Sequence, residues 1–280
     1  MLLNAANQNQ PTIAAEINYI KPNIQATFDL STSIKSADTL TEQVDKRVVE
    51  ITDARLLAKT ATLKEDGFGL VANKYHMTDY FDDAMVSTEL YPQIIKHLMS
   101  LTNASKGVVF DHTIRSVEDK LHRAEKRSPI HTVHNDYVAS SAQHRLHIEL
   151  EKQGLKASDY HRYQFINTWI PLVDVVLDSP LAFADMRSVT SEQSHLLQVA
   201  YPDRVGEIEG FSYNPNNRWF YFSRMTSKEQ LNFKVFDSDK SNAVNRTPHS
   251  AFLLPSVAEN VQSRVSIELR TILLFNKSIN

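Results

Sequence analysis

The chain contains no cysteine among its 280 residues. It therefore forms no disulfide and offers no thiolate, so any metal it binds must be held by histidine or carboxylate. Glycine is scarce, at six residues, and the GxSxG nucleophile turn and the glycine-rich phosphate loops are absent. No apolar run reaches the roughly 18 residues that a membrane-spanning helix needs. Nor is there an excess of positive charge: 30 Lys and Arg against 33 Asp and Glu give a formal net charge of −3, which removes the electrostatic case for nucleic acid or an anionic membrane. Met1 to Pro11 is polar and lacks the basic and apolar parts of a signal peptide, so a cytoplasmic setting is expected.

What is present is the composition of a soluble globular protein, 42% hydrophobic and 22% charged, and the absence of repeats, low-complexity tracts and linkers favours one domain over residues 1–280. The first forty residues, rich in Asn, Thr and Ser, suit an extended arm with one or two short strands. From Thr41 to about Ala61, Val44, Val48, Ile51 and Leu57 recur at a spacing that predicts an amphipathic helix. Asp66 to Val71 reads as a turn entering a strand, Glu89 to Thr102 as a helix with Ile94, Ile95 and Leu98 on one face, and Gly107 to Arg115 as a strand. Ser140 or Ser141 is expected to cap a helix that stops at Gly154.

Beyond that point the character changes. Tyr163–Trp169, Leu181–Val189, Arg218–Ser223, Leu231–Phe236, Ser250–Leu254 and Val265–Phe275 are short β-branched or aromatic runs separated by Pro, Asn, Asp and Ser. This is the pattern of an antiparallel barrel or jelly roll. The expected architecture is mainly β with flanking helices: about residues 1–105 form an arm and helices packed outside, and about 106–280 the β core.

Within that frame His134, Asn135 and Asp136 form an HxD triplet, and His249 stands far downstream. On an extended segment His134 and Asp136 share one face, so both reach one ion at about 2 Å while Asn135 points away. Two imidazoles and one carboxylate leave open positions for oxygen and a second ligand, the arrangement that suits non-haem Fe(II). Arg264 follows His249 by 15 residues and Ser266 lies two further on, on the same side of a strand. A guanidinium fork with a neighbouring hydroxyl is suited to grip a carboxylate such as that of 2-oxoglutarate. Along the last strand Val265, Ile267, Leu269 and Leu273 form an apolar face, and Arg264, Ser266, Glu268 and Arg270 a polar one that would face a barrel interior.

Other constellations are weaker. His144 with His147, or His131 with His134, has the spacing of a zinc pair, but neither has the glutamate of HExxH between its histidines. Arg218 to Phe222 joins a cation to aromatics, yet without a basic surface it reads as barrel wall rather than a base-stacking platform.

Together HNDYV from His134, RYQFINTWIPL from Arg162, PLAFADMRSV from Pro180, YNPNNRWFYFSRM from Tyr213, FKVFDS from Phe233, TPHSAF from Thr247 and RVSIELR from Arg264, with VFDHTIR upstream at Val109, resemble the AsaB/CmcJ-like hydroxylase/desaturase family over about Asp66 to Phe275. The resemblance implies a double-stranded β-helix and an Fe(II)- and 2-oxoglutarate-dependent oxygenase that uses O2 to hydroxylate or desaturate an unactivated C–H bond of a small molecule in secondary metabolism. It makes His134, Asp136 and His249 the iron ligands and Arg264 with Ser266 the grip on the cosubstrate, with Arg270 in reserve. Apart from the resemblance, Asn167 and Trp169 on the strand after the HxD and Arg145 on the helix beyond it are further candidates for cosubstrate or substrate contact, the alternatives being barrel packing and a surface charge. Two departures stand out: Ile170 follows Trp169 where the family has arginine, and Tyr213 and Asn217 flank the NPN turn where a histidine often stands. If these positions line the pocket, the substrate differs from that of the relatives. A homodimer or a partner enzyme is a further expectation, because CmcJ works with another protein. The alternatives are a cupin-like iron dioxygenase that does not use 2-oxoglutarate and a non-catalytic jelly-roll binding protein.

Overall fold

A computed structural model describes residues 11–22, 27–29, 43–116, 127–200, 205–255 and 261–276. Much of the expected N-terminal arm lies outside them. In chain order the elements are β1 (Thr12–Ile20), β2 (Thr27–Asp29), β3 (Val44–Asp53), β4 (Phe68–Ala72), α1 (Asp83–Met85), α2 (Tyr91–Thr102), β5 (Lys106–Ser116), β6 (His134–Asn135), α3 (Ala139–Lys152), β7 (Tyr160–Pro171), β8 (Leu181–Ala184), β9 (Ser194–Ala200), β10 (Val205–Phe211), β11 (Trp219–Tyr221), β12 (Glu229–Asp237), β13 (His249–Ala251) and β14 (Val265–Asn276). A π-helical turn at Val86–Leu90 joins α1 to α2. Among the described residues the strands form two sheets, a major one ordered β1-β3-β11-β8-β13-β6-β10-β9-β2 and a minor one ordered β4-β12-β7-β14-β5.

The two sheets face each other across an aromatic seam. Phe68 of β4 stacks on Phe183 of β8 at 5.1 Å, Phe183 meets Phe233 of β12 at 5.2 Å, and Phe233 meets the His249 ring of β13 at 4.8 Å. Ring pairs at these distances tie the sheets beyond their area burial. α2 lays Ile94 and Leu98 over the outside of β5. Outside the major sheet, Ile13, Ala15, Ile17 and Tyr19 of β1 pack with Ile51, Val133, Phe211 and Trp219 as a second apolar layer. β14 is flanked by β7 and β5 in the minor sheet, and its first ten residues are all buried. That is possible because its polar side chains are enclosed between the sheets.

Three expectations are corrected. The helix read over Thr41–Ala61 is the strand β3, paired with β1 residue for residue from Val44 with Ile20 to Thr52 with Thr12. Val44, Val48, Val49, Ile51 and Thr52 are β-branched and fit a pleated surface, so the pairing with β1 overrides a helical spacing that four residues happened to share. The division into outer helices before residue 105 and strands after it also fails, since β1 and β3 belong to the major sheet and β4 to the minor one. Finally, α3 begins at Ala139, and Ser141 caps from inside its first turn: its Oγ accepts from the Val138 N–H at 3.1 Å. The helix stop is where it was expected, with Gly154 left-handed at φ 65°.

One buried charge cluster braces the end of β7 against β12. Asp237 accepts two bonds from Arg162 (2.8 and 2.6 Å) and one from Gln164 (2.8 Å), and lies 3.2 Å from the buried Lys234 ammonium. Burial would raise the Asp237 carboxyl, but the Arg162 bonds and the Lys234 charge outweigh it and hold it below its ordinary value. A depressed carboxylate contributes stability that is present above the unfolded value of about 4 and is lost as the pH falls through the folded one. Asp237→Asn is therefore expected to cost about 3 kcal/mol near neutral pH, by leaving Lys234 buried without its counter-ion, and to flatten the acid limb of stability. Urea melts of both proteins at pH 7 and pH 3.5 check this.

Candidate metal and cosubstrate site

Strand alternation builds the metal-ligand set. Val133 packs into the outer apolar layer, so His134 points inward; Asn135 turns away again and donates to the Tyr137 carbonyl at 2.7 Å; Asp136 returns to the interior. β13 lies beside β6 with His249 directly opposite His134, and the two rings stand 4.4 Å apart. Each imidazole donates its Nδ1–H to a backbone carbonyl, His134 to Thr132 at 2.8 Å and His249 to Thr247 at 3.0 Å. That leaves both Nε2 lone pairs facing Asp136 Oδ1, at 3.5 and 3.8 Å.

His134, Asp136 and His249 thus form a set whose ligand atoms lie within 4.8 Å of one another. Cis ligands about 2.1 Å from a metal stand about 3 Å apart, so closing this triangle takes only small side-chain shifts. Burial, and then the neighbouring His249, press the His134 pKa down to about 4, so the ring is neutral and able to ligate. Burial alone would raise Asp136, yet His249, Arg270 and His134, with a bond from Asn167, together bring it to about 2. The donor set and its protonation fit a divalent ion with a facial N2O ligand group.

Asp136 Oδ2 is held from behind: Asn167 Nδ2 donates to it at 2.7 Å and Arg270 Nε stands 3.9 Å away. These partners turn Oδ1 toward the imidazoles. Asn167→Ala is expected to weaken Fe(II) or Mn(II) binding roughly 10- to 100-fold, with little change in the fold. Anaerobic metal titration with circular dichroism measures both.

The polar face of β14 divides into two halves. Arg270 has both terminal nitrogens engaged: Nη1 donates to Asp111 (3.0 Å) and Thr113 (2.9 Å), and Nη2 to Glu268 (2.6 Å). Burial works against its charge, but Glu268, Asp111 and Asp136 more than offset this and raise its pKa. Arg264, 1% exposed, is the opposite case. Its Nη1 donates to the Ser179 carbonyl, while Nε and Nη2 find no partner among the described residues, and neither does Ser266 Oγ. Burial, and then the neighbouring Arg115, lower the Arg264 pKa to about 9. An inward guanidinium with unused donors beside an unused hydroxyl has the donor set of an anion site. Of the two arginines on this face, Arg264 is the one with buried nitrogens left unpaired among the described residues.

Trp169 lies on β7 opposite Glu268, with the Arg264 guanidinium carbon 5.6 Å from its ring. Arg145, on α3, bonds Glu149 at 3.1 Å and lies over the Phe110 ring at 5.0 Å, which places it outside the ligand group. The positions that depart from the family pattern do not face the site. Ile170 alternates outward from Trp169 and pairs with Ile267 in an apolar layer. Tyr213 packs on Tyr19, and Asn217 bonds Gln193 and the Ser188 carbonyl on the far side of the major sheet. Among the described residues the group of three or more possible ligands is the one around Asp136, which takes in His134 but not His131, His144 or His147.

Sequence reasoning overlooked the other end of this charge string. Arg115 is buried, bonds the Ser128 carbonyl at 3.1 Å and stands 3.7 Å from Glu268. Asp111, Thr113 and Arg115 alternate along a segment correctly expected to be a strand, and that period-two polar face was the available signal.

A two-sheet β fold with an inward-facing His-Asp-His group and a buried guanidinium and hydroxyl left unpaired among the described residues defines the class as a jelly-roll metalloprotein of the oxygenase type. The chain belongs to the family described as the oxidoreductase/YMDC permease-like domain, whose model matches residues 17–274. Among curated proteins it is 26% identical to the alpha-ketoglutarate-dependent dioxygenase phiK of a fungal species, over 97% of this chain and 99% of that one. It is 29% identical to the hydroxylase/desaturase CTB9 of Cercospora beticola, over 81% and 76%. Among solved structures its fold matches the iron and alpha-ketoglutarate-dependent endoperoxidase NvfI with a TM-score of 0.82 at 23% identity, covering 95% of this chain and 99% of that one. Among the described residues no helix is long and apolar enough to cross a membrane, whatever the word permease in the family description.

Proposed function

We propose that this protein is an Fe(II)- and 2-oxoglutarate-dependent oxygenase that hydroxylates or desaturates an unactivated C–H bond of a small molecule, as part of secondary-metabolite biosynthesis. One observation carries the reading: the facial His134, Asp136 and His249 group shares the barrel interior with a buried guanidinium and hydroxyl, on Arg264 and Ser266, whose donors are left over. The names of the relatives agree with it.

His134, Asp136 and His249 would hold the iron, and Arg264 with Ser266 the far carboxylate of 2-oxoglutarate. When bound, iron and 2-oxoglutarate supply the oxidation itself, O2 being consumed as 2-oxoglutarate is decarboxylated to succinate and hydrogen is removed from the substrate. The residues of the chain supply the rest. Thr132 and Thr247 carbonyls fix both imidazoles with Nε2 free. Asn167 fixes the Asp136 carboxylate. Glu268 occupies Arg270 and screens Arg115, so that Arg264 keeps open donors for a dianion. Phe183 and Phe233 close the wall beside His249 and exclude water. Arg145, over the Phe110 ring and bonded to Glu149, is a candidate for substrate contact beyond the ligand group.

A dioxygenase without 2-oxoglutarate would leave the Arg264 and Ser266 donors without a ligand, and so accounts for less of the site. The decisive test is succinate formation by purified protein reconstituted with Fe(II) under air. Succinate that requires both Fe(II) and 2-oxoglutarate is the expected result. Iron binding with no response to 2-oxoglutarate would establish the other dioxygenase reading, and absence of iron binding a non-catalytic module.

A further inference from the structure

The chain has two tryptophans, and the structure treats their indole N–H groups differently. Trp219 is 2% exposed and donates to Tyr19 Oη at 2.8 Å. That is the ordinary condition of a buried indole, because an N–H removed from water without an acceptor forfeits its solvation. Trp169 is 1% exposed, and its Nε1 is sealed from solvent without an acceptor among the described residues.

The setting of Trp169 explains the difference. β7 and β14 run antiparallel with Trp169 opposite Glu268 and Pro171 opposite Ser266, so Trp169 and Ser266 are diagonal neighbours on the inward face. Diagonal pairs of this kind are within reach of an aromatic side chain. Its ring lies 5.6 Å from the Arg264 guanidinium carbon. Trp169 Nε1, Arg264 Nε and Nη2, and Ser266 Oγ are thus unpartnered buried groups gathered around the junction of two adjacent strands. Indole and guanidinium only donate, so neither satisfies the other. What they lack in common is an acceptor, and a carboxylate offers about four acceptor positions.

We infer that Trp169 is a third donor to the cosubstrate, its indole N–H hydrogen-bonding the same carboxylate that Arg264 and Ser266 take; this rests on the 2-oxoglutarate reading given above. The indole then has two tasks: its face packs beside the guanidinium and its edge completes the anion site. Its N–H also contributes selectivity, because a ligand lacking the far carboxylate would leave the donor buried and unpaired.

The test uses full-length, 15N-labelled protein loaded with Zn(II), titrated with 2-oxoglutarate itself. Two indole N–H signals are expected, with Trp219→Phe identifying which is which. On saturation the Trp169 proton should move downfield and the Trp219 proton stay in place. The Kd for 2-oxoglutarate should rise roughly ten- to a hundredfold in Trp169→Phe, the size expected of one bond to a charged acceptor, and remain unchanged in Trp219→Phe. An unmoved Trp169 signal in wild-type protein that does bind 2-oxoglutarate overturns the inference, as does binding by a folded Trp169→Phe within about twofold of wild type. Should Trp169→Phe not fold, the wild-type indole shift decides. Wild-type protein that binds no 2-oxoglutarate overturns the functional reading, and this inference with it.

Discussion

Arg264→Met is expected to abolish binding of 2-oxoglutarate at ordinary concentrations and, in its absence, to make the protein more stable. The first half follows from charge pairing. Truncating one partner of a buried, hydrogen-bonded charge pair costs about 2–5 kcal/mol, or roughly 30- to 4,000-fold in Kd. Lysine is no substitute, because its point charge lacks the two-pronged geometry. The second half follows from the free site. Without a bound carboxylate Arg264 would be a desolvated cation whose Nε and Nη2 find no partner among the described residues and whose neighbour Arg115 repels it, with Glu268 and Asp178 offsetting this only in part. Replacing an ill-compensated buried charge by an apolar side chain of similar length is neutral or stabilising, by about 1 kcal/mol or more. Arg270→Met should behave in the opposite way, since it strips Glu268 and Asp111 of their partner and destabilises the fold. Thermal melts with and without 2-oxoglutarate, alongside its Kd, separate the two arginines. An Arg264→Met variant that melts lower than wild type and binds 2-oxoglutarate normally would contradict the assignment.

His249→Ala and Asp136→Ala are expected to lose metal-dependent turnover by more than the roughly 100-fold that removal of an outer partner such as Asn167 costs. The two histidines are placed by paired strands and Asp136 by Asn167 and Arg270, so removing one ligand leaves the other two where they are, and they bind too weakly to retain the ion. Wild-type protein should melt higher with Fe(II) or Mn(II) present: a ligand at a hundred times its Kd adds about 2.7 kcal/mol, or roughly 5–10 °C for a chain of this length. The His249 variant should show no such shift. Differential scanning calorimetry under argon, with a chelator as control, measures it. A shift that survives in both variants would place the metal elsewhere.

The metal group was legible because it depends on short-range rules. His134 and Asp136 are two residues apart on extended chain, and so are Arg264 and Ser266; alternation alone puts each pair on one face. The strands from Tyr160, Glu229 and Val265 were legible for the same reason. β3 was misread because Val44, Val48 and Ile51 satisfy a helical spacing, and only β1, running antiparallel beside them, makes the strand the better partner. β9 and β10 were passed over because SHLLQVA and VGEIEGF mix polar and apolar residues at a half-exposed surface. Yet β10 pairs Gly210 with His134 and so flanks the metal strand.

Local order along the chain was enough to pick out the side chains proposed to carry the chemistry: two histidines, one aspartate, and an arginine with a serine, each pair at the spacing of one strand face. How they are used depends on contacts that no local pattern encodes. Long-range pairing set His249 opposite His134 across more than a hundred residues of chain. It surrounded Arg270 with Glu268, Asp111 and Thr113 while leaving donors of Arg264 and Ser266 unpaired. It also turned Ile170, Tyr213 and Asn217 away from the site that their place in the family pattern had pointed to. The physical reason is that a side chain's face follows from its neighbours in sequence, whereas its partners, and hence the charges left over for a ligand, follow from strands that meet only when the sheets close.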